Sequence, residues 1–410
     1  MRYRNTLSVA AIILCFVLAV VSCQKLMPPE PPHEEVLGAP LEGLTQEQLL
    51  NHVLGDEEFG RVFGSHDGLG PIYVATSCEG CHIGDGKGHP LTTLTRFNRY
   101  TGVFYDPMAD KGGPQLQHRA ISGYQPEIIP AAATGVTRLL PPSVAGLGFL
   151  EAVPDAAILA MADSTDVNGD GVSGVPNLVT APPYFIAQSW HIPVNGKYIG
   201  RFGRKAGAIN LLQQTANAYL NDIGITSDFN MEDLYNVQVG NYSGDHVPDP
   251  EVSASTVNNV VFYLRTLKVP PRRNTADADV QAGENIFMQV GCAKCHVPSL
   301  TTGYSEVEAL SYKTFYPYTD LLMHDMGPGL DDGYTEGTAA TSEWRTTPLW
   351  GLGLQQYSQG GQMFLMHDGR AATIEEAINL HGGEASGSRT QYQALSQADK
   401  DKLIKFLMSL

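Results

Sequence analysis

The chain is poor in cysteine, tryptophan and basic side chains. Six Cys and three Trp occur in 410 residues, and 26 Lys and Arg stand against 43 Asp and Glu. The net charge of −17 argues against nucleic acid as a partner, because that surface needs a basic face to displace counterions from phosphate. Such a charge suits a basic electron-transfer partner drawn in by the field of the protein, and it also serves solubility alone. Beyond the N-terminus no apolar run is long enough for a membrane span. The run from Leu7 to Val21 follows Arg2 and Arg4. It is short and leads into a polar tract, so residues 1–22 are expected to be an export signal; an uncleaved anchor is the alternative.

That signal ends in Val20-Val21-Ser22-Cys23. A cysteine directly after small residues resembles the lipobox of bacterial lipoproteins, in which the Cys takes lipid and becomes the N-terminus. Gln24, not Asp, follows it. The expectation is a lipid-anchored protein on the periplasmic side of a bacterial membrane, the outer one favoured. Residues 23–44, with Pro28-Pro29-Glu30-Pro31-Pro32, read as a stiff tether.

With Cys15 in the signal and Cys23 at the lipid site, four cysteines remain, and none is spare for a disulfide. All four sit in two Cys-x-x-Cys-His runs, Cys78 to His82 and Cys292 to His296. That spacing suits covalent c-type haem: two thiols reach the vinyl groups and the adjacent His binds iron from one face. A zinc knuckle or a disulfide turn would account for one such run; two, each with its His, point to two haems, with His82 and His296 as proximal ligands.

The rest of the sequence reads as one pattern used twice. Val280, Ala282, Ile286, Phe287 and Val290 form an apolar helical stripe ahead of the second run, and Leu403 to Leu410 a closing helix. In the first half Phe59, Val62 and Phe63 open, and Val260 to Leu267 close. Pro270-Pro271-Arg272-Arg273 then separates the halves. The predicted fold is mainly α, with two cytochrome c-like haem domains in tandem and long loops, at 45–270 (with insertions) and 271–410. Leu140-Pro141-Pro142 with Gly146-Leu147-Gly148, and Thr347-Pro348-Leu349 with Gly351-Leu352-Gly353, repeat downstream of each haem run. There the backbone would approach a macrocycle closely.

The second axial position decides what such iron can do. A helix over Ile374 to His381, with a Thr373/Glu376 capping box, puts His381 on the apolar face with Ile374, Ala377 and Ile378. His381 is the expected distal ligand of the second haem; a surface His at a helix C-terminus is the alternative. The corresponding first-half segment, Glu151 to Met161, sets Met161 opposite His381. Met161 as ligand or as core, and His118 or His191 as substitutes, stay open for the first haem. Glu151, ahead of that helix, is the candidate catalytic acid–base for peroxide; a first-turn acid serving the helix dipole is the alternative. Asp166, Asn168 and Asp170, with Gly171, match the start of an EF-hand loop and are candidate Ca²⁺ ligands, with Asn177 at the position of the usual Glu. Arg201, Arg204 and Lys205 could serve haem propionates or lie in solvent.

The stretches Pro317 to Gly327, Glu343-Trp344-Arg345 with Pro348 to Gly351, His367-Asp368-Gly369-Arg370 and Gly200 to Ala206 together resemble the di-haem oxidoreductases, sometimes labelled thiol oxidoreductases. That family is related to bacterial di-haem cytochrome c peroxidases and to the di-haem enzyme that matures a tryptophan-derived quinone. The resemblance implies a peroxide-reacting first haem and an electron-receiving second one. It places the second distal ligand fourteen residues after the His of His-Asp-Gly, at His381 here, where relatives carry Met or Tyr. It also implies Ca²⁺ between the halves, a small soluble electron donor or acceptor such as a cytochrome, and a small-molecule oxidant such as H₂O₂. Di-haem electron transfer without turnover, or oxidation of a thiol or sulfur compound, are the competing functions.

Overall fold

The computed structural model describes residues 37–102, 104–240 and 242–410. The signal segment, Cys23 and the tether up to residue 36 lie outside them. Leu37–Leu410 forms one compact unit, and no helix of the described residues is long and apolar enough to cross a membrane.

Two packed helix pairs carry the structure. Helix α1 (Gln46–Gly60) packs on α5 (Ala254–Thr266), and α6 (Ala278–Gln289) on α9 (Gln397–Ser409). These are the opening and closing helices expected of each half. Each starts at a side-chain cap: Thr45 accepts from Gln48 N, Ser253 from Thr256 N, Asp277 from Val280 N and Ser396 from Asp399 N. Both crossings use a glycine. A Cβ on Gly55 would strike the Asn259 carbonyl, and one on Gly283 the Lys402 carbonyl, so backbones meet at equivalent points of the two pairs. The first opening helix ends sooner than expected: Arg61 is already extended, and Val62 is exposed while Phe63 is buried.

Between the pairs lie short helices and small sheets. Helices α2 (Leu147–Glu151) and α3 (Asp155–Met161) replace the single first-half helix, because Pro154 cannot donate within one and instead starts the second. Helix α4 (Leu211–Ala218) runs into a π-turn over Tyr219–Ile223. Helix α7 (Ile374–Leu380) ends one residue before His381, its C-cap, and α8 (Ser386–Gln393) follows. Strands β1 (Leu94–Tyr100) and β2 (Gly135–Leu139) pair antiparallel with Leu94 opposite Leu139; β3 (Met323–Asp325) and β4 (Glu343–Arg345) pair with Met323 opposite Arg345.

The two halves share their interior. The core around Phe59, Val260 and Leu264 takes in Leu300, Phe315, Leu321, Leu322 and Trp350 from beyond residue 271. A second core of Phe287, Leu403 and Phe406 lies around α6 and α9. Part of the expected tether is docked instead: Leu41 N donates to Thr266 O at 2.7 Å, and Lys268 N to Ala39 O at 2.9 Å. Leu37 is buried against Ala145 and Leu354, since an apolar side chain there gains more from the body than from water.

Candidate functional site

Two cavities open on the two Cys-x-x-Cys-His turns. In the first, His82 N bonds Cys78 O at 3.0 Å, a single tight turn that sets Cys78, Cys81 and His82 on one wall. His82 Nδ1 donates to the Pro142 carbonyl at 2.9 Å. In the second, His296 N bonds Cys292 O at 3.0 Å, and His296 Nδ1 donates to Tyr318 O at 2.9 Å. A carbonyl can only accept, so both imidazoles carry their proton on Nδ1 and leave Nε2 free as a ligand. Burial pushes both rings down to about 4, which keeps them neutral. The Cys78, Cys81 and Cys292 thiols are pushed up to about 12 by burial.

His381, the expected distal ligand, lines the second cavity. Its Nδ1 donates to Ala377 O at 2.7 Å, so this imidazole too keeps Nε2 free, and burial lowers its pKa. The Thr373 half of the capping box is present, with Glu376 N donating to Thr373 Oγ1 at 3.1 Å; the Glu376 carboxylate accepts from Ala372 N instead of Thr373 N. Three residues of the family-like stretches, His324, Trp344 and His367, make contacts that the sequence did not reveal. His324 bridges Asp320 and Glu384, 2.8 Å from each, with Nδ1 3.6 Å from Cys295 Sγ. Burial opposes its charge, but the hydrogen bond to Asp320, with those to Cys295 and Glu384, pushes it up to about 12. Trp344, on β4, stacks on His367 with ring centres 3.8 Å apart, and both line this cavity.

The first cavity differs. Among its lining residues no His, Met or Tyr accompanies His82. Met161 packs against the first core, His118 is exposed, and His191 lies between Phe185 and Tyr198; none of the three lines it. Glu151 is also turned away, which corrects its expected catalytic place. Its carboxylate takes Arg265 Nε at 2.6 Å and Leu211 N at 2.9 Å. Burial alone would raise this group, but Arg265 outweighs it and holds the carboxyl below its ordinary range. The cavity instead presents Asp222, on the π-turn, and the Arg96–Glu336 ion pair. Asp222 is pushed up to about 6 by burial and accepts from Gln115 Nε2 at 2.6 Å.

Lys87, Arg204 and Arg345 line both cavities and are all buried. Arg204 Nη2 has no hydrogen-bond partner among the described residues. Burial pulls Arg204 to about 9 and Arg345 to about 10, and Lys87 well below its ordinary value. Asp368 and Asp320 act on them only at a distance, and none of the three has a salt bridge among the described residues; buried cations so placed call for anions, and haem propionates fit that need. Of the three basic residues expected there, only Arg204 faces the cavities. Arg201 pairs with Asp155, while Lys205 donates to the Thr341 and Glu343 carbonyls, at 2.7 Å each, and lies over the Trp344 ring.

The expected Ca²⁺ loop is self-satisfied. Asp166 Oδ1 accepts from Asp170 N at 2.9 Å, as does Asn168 Oδ1, and Asp170 Oδ1 takes Val172 N at 3.0 Å. Lys294, inside the second haem run, donates to Asp170 O at 2.8 Å, and Asn177 is buried elsewhere against the Lys205 carbonyl. The loop thus bridges to the second cavity, and its oxygens are spent on backbone amides.

Residues 133–410 match the family described as "Di-haem oxidoreductase, putative peroxidase". This chain belongs to the di-haem oxidoreductase family. Haem is therefore its cofactor. No curated protein matches it. Among solved structures, hydrazine synthase of Kuenenia stuttgartiensis is similar at 13% identity, covering 94% of each chain, with a TM-score of 0.38. A MauG-like protein associated with microbial copper homeostasis is similar at 14% identity, also over 94% of each chain, with a TM-score of 0.41.

Proposed function

We propose that this protein is a peroxidase-type oxidoreductase with two covalent c-type haems, one per half, that reduces H₂O₂ or a related oxidant at the first and receives electrons at the second. The observation that carries this reading is the asymmetry of the cavities. The first is lined by one imidazole, His82, and a charged remainder; the second by four, of which His324 is held by Asp320 and Glu384 and His367 stacks on Trp344, while His296 and His381 keep Nε2 free. Bound haem iron supplies the electrons and the site where an O–O bond is cleaved.

The chain's own residues do the rest. Cys78 with Cys81, and Cys292 with Cys295, would hold the macrocycles by thioethers, and Lys87, Arg204 and Arg345 would neutralise propionates. Reduction of H₂O₂ to water consumes two protons with its two electrons. Asp222 lines the first cavity and titrates near 6, so it can take up and release a proton near neutral pH. His381 would close the second iron, so that this haem relays electrons without meeting substrate. The donor is a small soluble protein such as a cytochrome. The protein is exported and held by lipid on Cys23 to a membrane facing the periplasm, the outer one favoured.

Three measurements on exported protein test this. Mass spectrometry is expected to show two added haem masses. Cyanide is expected to bind one iron after partial reduction. Steady turnover of H₂O₂ is expected with a reduced cytochrome. Two low-spin irons inert to cyanide and H₂O₂ in every redox state would make this a carrier and overturn the proposal.

A further inference from the structure

A second, unrelated cluster lies in the loop between Ile225 and Val252, ahead of α5. One carboxylate oxygen each from Asp233, Asp245 and Glu251 lies within 4.8 Å of the other two. Each carboxylate is fixed through one of its oxygens. Asp233 Oδ2 accepts from Asp245 N at 2.9 Å, Asp245 Oδ1 from Val247 N at 2.8 Å, and Glu251 Oε2 from Thr226 N at 2.6 Å. The other oxygen of each, Asp233 Oδ1, Asp245 Oδ2 and Glu251 Oε1, is buried without a hydrogen-bond partner. Asp245 is only 6% exposed, and a fourth acid, Asp249, shares the Thr226 hydroxyl with Glu251.

Acidic side chains often gather at surfaces where water satisfies them. Here water reaches none of the three free oxygens, and buried anionic oxygens left unpaired side by side are strongly unfavourable. A single shared proton would link one pair and leave the third oxygen bare. One cation answers all three together. We infer that Asp233, Asp245 and Glu251 form a divalent-cation site, and that its ion is Ca²⁺. The donors are all hard oxygens, with no His or Cys among them, and their irregular origin in three loop positions suits the tolerant coordination of Ca²⁺ better than the strict octahedron of Mg²⁺. The site is separate from the Asp166 loop, whose oxygens are already committed.

The ion would tie the start of this loop, at Thr226, to its end, at Glu251. Thr226 follows the π-turn that carries Asp222, so the staple braces the wall of the first cavity. Full-length holoprotein stripped with a chelator and dialysed is titrated with Ca²⁺ alone, following bound ⁴⁵Ca²⁺ and the melting temperature. Wild type is expected to bind and to melt several degrees higher in millimolar Ca²⁺. In Asp245→Asn the affinity is expected to fall about tenfold or more as one of three charges is lost, and its metal-free form to melt no lower than metal-free wild type, because like charges no longer face each other. Asp170→Asn is expected to leave this binding unchanged. Absence of binding at millimolar Ca²⁺, binding retained in Asp245→Asn, or its loss in Asp170→Asn would overturn the inference. If Asp245→Asn is not recovered folded, Asp233→Asn decides by the same readouts.

Discussion

Replacing Glu151 by Gln separates structure from chemistry at the first cavity. Glu151 and Arg265 form a salt bridge whose side chains are 16% and 25% exposed. Gln is the same shape and can still accept from Leu211 N, so the loss is confined to charge against Arg265. Breaking a fully buried pair costs about 3–5 kcal/mol, and an exposed one about 0–1 kcal/mol. Partial exposure places Glu151→Gln between them, at about 2–3 kcal/mol. Urea unfolding followed by far-UV circular dichroism would show it as a lower midpoint at unchanged slope. The pH dependence has a fixed sign. The Glu151 carboxyl is held below its ordinary 4.5, so its stabilisation is complete above that pH and fades as pH falls through the lowered value. The gap between variant and wild type therefore closes in acid. Peroxide turnover at pH 7 is expected to stay within about twofold of wild type, since the carboxylate does not face the cavity. A variant with wild-type stability and turnover reduced by orders of magnitude would refute the placement of Glu151 and return it to the catalytic machinery.

Asp222→Asn should move the two properties in opposite directions. The Asp222 carboxyl is raised to about 6 from 3.8, so its contribution to stability is full below the unfolded value and is lost as pH rises through 6. Above that pH the variant should be more stable by about 3 kcal/mol, with turnover lowered and its acid limb near pH 6 abolished. His381→Ala should open the second iron to cyanide without changing binding at the first, as read by optical titration. Arg204→Met removes a buried cation that lines both cavities, so both midpoint potentials should fall in a spectroelectrochemical titration. A shift of one alone would show that Arg204 serves a single haem.

The two Cys-x-x-Cys-His turns and His381 were legible because local spacing carries their chemistry, and the paired helices because period and caps agree. Glu151 was misread because proximity in sequence to a helix start does not say which way a carboxylate turns. Its partner Arg265 lies more than a hundred residues away on α5 and gives no local cue. The Asp166 loop is ambiguous for a related reason: Asp, Asn and Gly at those spacings build hydrogen-bonded turns as readily as ion sites. Pro154 was visible in the sequence and should have split the helix ahead of Met161. Lys87, Asp222 and Glu384 lie in no motif, and the stretches holding Asp320, His324 and Arg345 marked a family without showing what those side chains touch. Each matters through neighbours that only the folded chain supplies. The Gly55 and Gly283 crossings were likewise hidden, since a glycine within a helix reads as weakness until its partner backbone is seen.

Lys87, Arg204 and Arg345 make a common partition between two redox chambers. With a haem in each cavity, as proposed, any change of charge at these three side chains would move both midpoint potentials in the same direction. Neither chamber could then be retuned at this partition without its neighbour.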